Sequence, residues 1–142
     1  VKPNVFKDDS RAGLYHLPAA DDGDLVDLAS KAHLTLLIAD VSASKNSQEA
    51  LRELGKAGQF PRWYGANLDA LHDCLTDPDW QAKKKIILKI TGLVALQISH
   101  PEAFSMLIDV LRSAAATRLA KKHPLWILLT SPAPGVAHLP DA

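Results

Sequence analysis

The chain has 142 residues, 47% hydrophobic and 23% charged, which is the composition of one globular domain. A domain of that size buries about 70% of its unfolded surface and needs no disulfide or metal to fold. Sixteen basic and sixteen acidic residues give zero formal net charge, so no global field directs the chain to nucleic acid or to an anionic membrane. One cysteine, Cys74, excludes an intramolecular disulfide and suits a reducing, cytoplasmic setting. No apolar run reaches the length of a membrane span. The sequence begins at Val1 rather than at a methionine, which leaves any leader unread.

In chain order, residues 1–13 are polar and without period, and read as a loose arm. Leu14 to Leu17, stopped by Pro18, predicts a short strand. Asp21 or Asp22 then caps a helix carrying Leu25, Leu28, Ala29 and Ala32 on one face. Leu34 to Val41 is nearly continuous in aliphatics, as in a strand covered on both faces. Asn46 or Ser47 starts a helix with Ala50, Leu51 and Leu54, ended near Gly55 or Gly58.

A second short helix follows, broken by Asp77-Pro78-Asp79, with Trp80 to Lys84 as a linker. Lys85 to Thr91 predicts another strand. Ser99-His100-Pro101-Glu102 has the capping-box spacing ahead of a long helix that buries Phe104, Leu107, Ile108, Leu111 and Leu119. Leu125 to Thr130 is a further buried strand. Pro132, Pro134, Gly135 and Pro140 make 132–142 an irregular tail. Three aliphatic strands separated by helices predict an α/β fold, a small three-stranded parallel sheet packed with helices. The N-terminal strand and helix, within 14–33, are an addition to a domain spanning 14–131.

Phe60 to Thr76 is the stretch that carries chemistry. Pro61 and Gly65 bracket a turn, and Asn67 is placed to cap a helix whose apolar stripe is Leu68, Leu71 and Leu75, with Cys74 beside it. Asp69, His72, Asp73 and Thr76 fall on the other face. Asp69 and Asp73 repel at i, i+4 by a few tenths of a kcal/mol, roughly. Between Asp69 and Asp79 there are four aspartates and no Lys or Arg. Such a face suits a cationic partner. A general acid/base pair would need a cleft and a nucleophile or metal, which nothing nearby supplies. His72, Asp73 and Cys74 point about 100° apart on a helix and cannot share one ion, so no metal or cofactor is expected. Cys74 reads as a small core residue, Tyr64 as core packing, and Lys83-Lys84-Lys85 as a solvated approach to the next strand.

The run Pro61-Arg-Trp-Tyr-Gly-Ala-Asn-Leu-Asp-Ala-Leu-His-Asp-Cys-Leu-Thr76 resembles the signature segment of the barstar-like family of ribonuclease inhibitors. A looser resemblance, in order of elements, runs from about Thr35 to Thr130. The resemblance implies a non-enzymatic protein, monomeric when free, that binds a small basic ribonuclease one to one. Its acidic helix (about 67–76) would enter the active site, with carboxylates standing in for RNA phosphates. A carboxylate accepts the same charge-assisted hydrogen bonds from Arg and Lys as a phosphate does. The implied partner-binding residues are Trp63, Asn67, Leu68, Asp69, His72, Asp73, Thr76 and Asp77, with Asp73 reaching deepest. Two positions depart from the family pattern. His72 replaces an aromatic, and Asp77-Pro78 replaces a Gly-Trp continuation for which Trp80 is a spatial substitute. These departures support an alternative, a barstar-like adaptor for a basic partner that is not a nuclease.

Overall fold

A computed structural model describes residues 4–82 and 84–140. The first three residues of the expected arm, Lys83 of the basic run and the last two residues of the expected tail lie outside the described residues. Two 3-10 turns (Val5–Lys7 and Asp9–Arg11) lead into β1 (Leu14–His16), the single-turn α1 (Ala19–Asp22) and α2 (Leu25–Lys31). Next come β2 (Thr35–Asp40), α3 (Ser47–Gly58), α4 (Leu68–Thr76) and β3 (Ile86–Thr91). The chain then forms α5 (Val94–Ser99), α6 (Pro101–Ala120) and β4 (Leu125–Leu129).

All strand pairs are parallel and the order is β1-β4-β3-β2. The three expected strands are the adjacent β2, β3 and β4, and the N-terminal addition supplies a fourth. β1 pairs with β4, Leu14 beside Ile127 and His16 beside Leu129. Side chains alternate across the sheet. Ile86, Leu88, Ile90, Leu125, Ile127 and Leu129 face α3, α4 and α6, while Ile87, Trp126 and Leu128 face α2 and the N-terminal turns. Each aliphatic side chain buried this way contributes about 1.5–3 kcal/mol.

Several sequence expectations are corrected. β2 is covered on both faces only in part: Leu37 and Ala39 pack on one face and Leu36 on the other, but it is the edge strand opposite β1 and Ile38 is 54% exposed. An aliphatic run records hydrophobicity, not the number of neighbouring strands. The described part of the expected loose arm is docked, with Val5 buried and Phe6 set edge-on against Trp126 at 4.9 Å. Asn4 caps its first turn and donates its side-chain amide to the Leu28 carbonyl at 2.8 Å. Neither Asp21 nor Asp22 caps the helix that carries Leu25. Asp22 pairs with Lys89 at 2.6 Å, and Asp24 takes the cap position without a side-chain bond.

Ser99 is not a cap either. It ends α5, a helix the sequence did not announce, and its hydroxyl donates to Ala95 O, while His100 precedes Pro101. Trp80 is core rather than linker: it is 7% exposed and its indole N–H donates to Gly58 O at 2.7 Å. In the tail, Leu139 is buried, and an isolated bridge joins His138 to His16.

Candidate functional site

The entry to α4 is fixed by aromatic packing onto α3. α3 ends at Gly58, one of the two glycines expected to close it; Gly55 lies within the helix, and both are buried and make room for rings. A Cβ at Gly55 would sit 2.5 Å from the Tyr64 ring, and one at Gly58 would sit 2.6 Å from Phe60. Phe60 packs edge-on against both Tyr64 and Trp80, and the Tyr64 hydroxyl donates to Leu51 O at 2.7 Å. The left-handed residue in this turn is Ala66 (φ 51°), not Gly65. That reversal aims the chain into α4.

Asn67 caps the helix as the sequence predicts: its side-chain oxygen accepts the Ala70 N–H at 2.8 Å. Ala70, Leu71, Cys74 and Leu75 are buried, chiefly against α6. Burial pushes the Cys74 thiol up to about 11, helped by the charges of Asp73 and Asp77. The hydroxyl of Thr76 donates to His72 O at 2.7 Å, and the helix ends at Asp77.

The structure separates the eight predicted partner residues into two groups. Asp69 and Asp73 are exposed, and neither is in an ion pair among the described residues. Trp63 is 57% exposed at the start of the approach to the helix. Asn67 is exposed and Leu68 is partly buried against the core. The others are partly engaged within the chain. His72 Nε2 lies 3.2 Å from Ser113 Oγ on α6. The Thr76 hydroxyl donates within the helix to His72 O, and an Asp77 carboxylate oxygen accepts the Asp79 N–H at 2.8 Å. Trp80, offered as a spatial substitute for an interface aromatic, is buried beneath Phe60 and unavailable.

His72, Asp73 and Cys74 diverge toward α6, solvent and core respectively, as the helical geometry requires. Beside Asp69 an open groove of about 660 Å³ runs between the starts of α3 and α4, with Gln48, Leu51, Leu68 and Met106 on its walls. Neither that groove nor the nearness of Ser113 to His72 has a local signal in the sequence, because both depend on how α6 lies across α4. The arrangement can present two unpaired carboxylates and an aromatic rim to a cationic surface.

Among the described residues, no helix is long and apolar enough to cross a membrane. A search of curated proteins gives no match. The family model described as Barstar (barnase inhibitor) matches residues 34–130, from just before β2 to just past β4, and leaves the strand and helices of the N-terminal addition outside. With that match spanning more than half of its length, the chain belongs to the barstar (barnase inhibitor) family.

Proposed function

We propose that the protein inhibits a small basic ribonuclease by inserting α4 into its active site, one inhibitor to one nuclease. The observation that carries this reading is the pair of exposed carboxylates, Asp69 and Asp73, free of ion pairs among the described residues. A ribonuclease cleft offers Arg, Lys and His where RNA phosphates bind, and a carboxylate accepts the same bidentate bonds. Asp73 reaches deepest, Asp69 lies nearer the helix start, and Trp63 covers the rim. Asn67 and Leu68 hold the helix entry, while His72, Thr76 and Asp77 border the contact. The protein acts by occupation of the cleft, in the cytoplasm, and without chemistry of its own.

Co-purification of the chain from its source, with each captured protein assayed for RNA cleavage, tests this reading. A stoichiometric nuclease complex burying about 800 Å² per partner is the expected result. Capture of basic proteins that do not cleave RNA would favour the adaptor reading. That second reading has one specific support: the flanking contacts of the family pattern are altered here, with His72 held near Ser113 and Trp80 buried.

A further inference from the structure

Behind the carboxyl end of α4, away from Asp69, the molecule holds a buried cation that no carboxylate among the described residues neutralises. Arg118, on the last turn of α6, is 4% exposed. Its Nε donates to His123 O at 3.0 Å and its Nη1 to Leu75 O at 3.2 Å. The guanidinium carbon lies 5.3 Å from the centroid of the Trp80 ring. No carboxylate lies within ion-pair distance of it among the described residues. Its remaining nitrogen, Nη2, has no hydrogen-bond partner there either. Buried arginines are seldom left unpaired, because removing the charge from water is costly. Burial accordingly lowers the pKa of this group.

Arg118 forms part of the wall of a cavity of about 50 Å³ between the end of α4, residues 78–82 with Lys84, and the exit from α6. Lys84, Lys121 and His123 stand on the same wall, with no Asp or Glu among the lining residues. Asp77 is near in sequence, but its carboxylate accepts the Asp79 N–H and does not line the space. Two helices end here, and their dipoles bring about half a negative charge each. The Leu75 and His123 carbonyls are covered by Arg118, and three full positive charges outweigh the dipoles. A single water needs roughly 10–15 Å³ by the same measure, so the space suits an ion of a few atoms and excludes a nucleobase. A planar guanidinium with two exposed lysines on the rim, Lys121 and Lys84 (whose ammonium donates weakly to Gln81 Oε1 at 3.4 Å), matches a tetrahedral oxyanion.

We propose that this cavity binds a phosphate-class anion, either inorganic phosphate or the terminal group of a phosphomonoester, held by Arg118, Lys84 and Lys121. The site adjoins the carboxyl end of α4, where Thr76 lines it about one turn beyond Asp73, but anion binding there does not depend on the inhibitor reading.

Thermal unfolding and calorimetric titration of the full chain with inorganic phosphate or O-phosphoserine, against sodium chloride at matched ionic strength, test it. Saturable binding with a rise in Tm beyond the chloride control is expected. Tighter binding of phosphoserine would identify the phosphomonoester as the natural source, and tighter binding of inorganic phosphate the free ion. Arg118→Gln removes two carbonyl bonds and can fail to fold, so the Lys84→Ala/Lys121→Ala variant on the exposed rim is the deciding one. It should unfold at the wild-type temperature without phosphate and lose about tenfold in affinity, as expected for removing two partly exposed ion pairs. No effect beyond chloride, or an equal effect in wild type and the double variant, would overturn the proposal.

Discussion

The hydroxyl of Tyr64 donates to the carbonyl of Leu51 at 2.7 Å, and this bond ties the loop ahead of the acidic helix to α3. The ring lies on Gly55, so the direction of α4 depends on a glycine nine residues upstream. Tyr64→Phe keeps the packing and removes the bond, and should cost about 1 kcal/mol in chemical denaturation. Gly55→Ala sets a methyl group 2.5 Å from the ring and should cost more, about 1–3 kcal/mol.

The N-terminal segment is part of the core. Phe6 is fully buried against Trp126, which lies on the sheet face turned away from α4. Phe6→Ala should therefore destabilise the whole domain by about 3–5 kcal/mol, read from the denaturation midpoint. A merely tethered arm would give almost no change.

Alkaline pH should weaken the fold. Burial raises the Cys74 thiol from its ordinary 9.0 to about 11, and raises the Tyr64 phenol as well. Both groups are neutral in the native state and ionise more readily once unfolded. Their contribution is fully present below pH 9; the Cys74 part is lost as pH rises from 9 to 11, and the Tyr64 part from pH 10 upward. Denaturation curves at pH 7, 9 and 10 should show that decline. The native thiol should react slowly with a thiol reagent at pH 8, since both access and thiolate are lacking.

What was legible in the sequence was set locally. Asn67 and Asp77-Pro78 mark both ends of α4 because capping and chain breaking act within one turn. The parallel order of β2, β3 and β4 follows from strands separated by helices. What was not legible depends on distant partners. Val5 and Phe6 look like part of a polar arm until Trp126, far along the chain, is placed over them. Trp80 looks like linker until Gly58 accepts its N–H and Phe60 covers it. The Ser99 spacing satisfied a capping rule, yet α5 reaches far enough to absorb that serine into its own last turn. Asp69 and Asp73 were readable as an acidic face, but that no cation among the described residues pairs with them could only be seen once the neighbouring helices were in place.

Trp63 offers a test of the rim of the proposed interface that leaves the carboxylates intact. Its side chain is 57% exposed, so Trp63→Ala should change stability little. Exposed aromatics of this kind act as anchors, and the variant should weaken partner binding by about 2 kcal/mol, mainly through faster dissociation.

The most direct measurement is inhibition of RNA cleavage by the co-purified nuclease, comparing wild type with the Asp69→Ala/Asp73→Ala variant after both are shown to have the same Tm. Truncating one member of a buried, hydrogen-bonded charge pair costs about 2–5 kcal/mol, a range to which measurements on the barnase–barstar complex themselves contribute. The double variant should fold normally and lose inhibition by roughly a hundredfold or more, with wild-type association slowing as salt rises. Undiminished inhibition by a folded double variant would contradict the account.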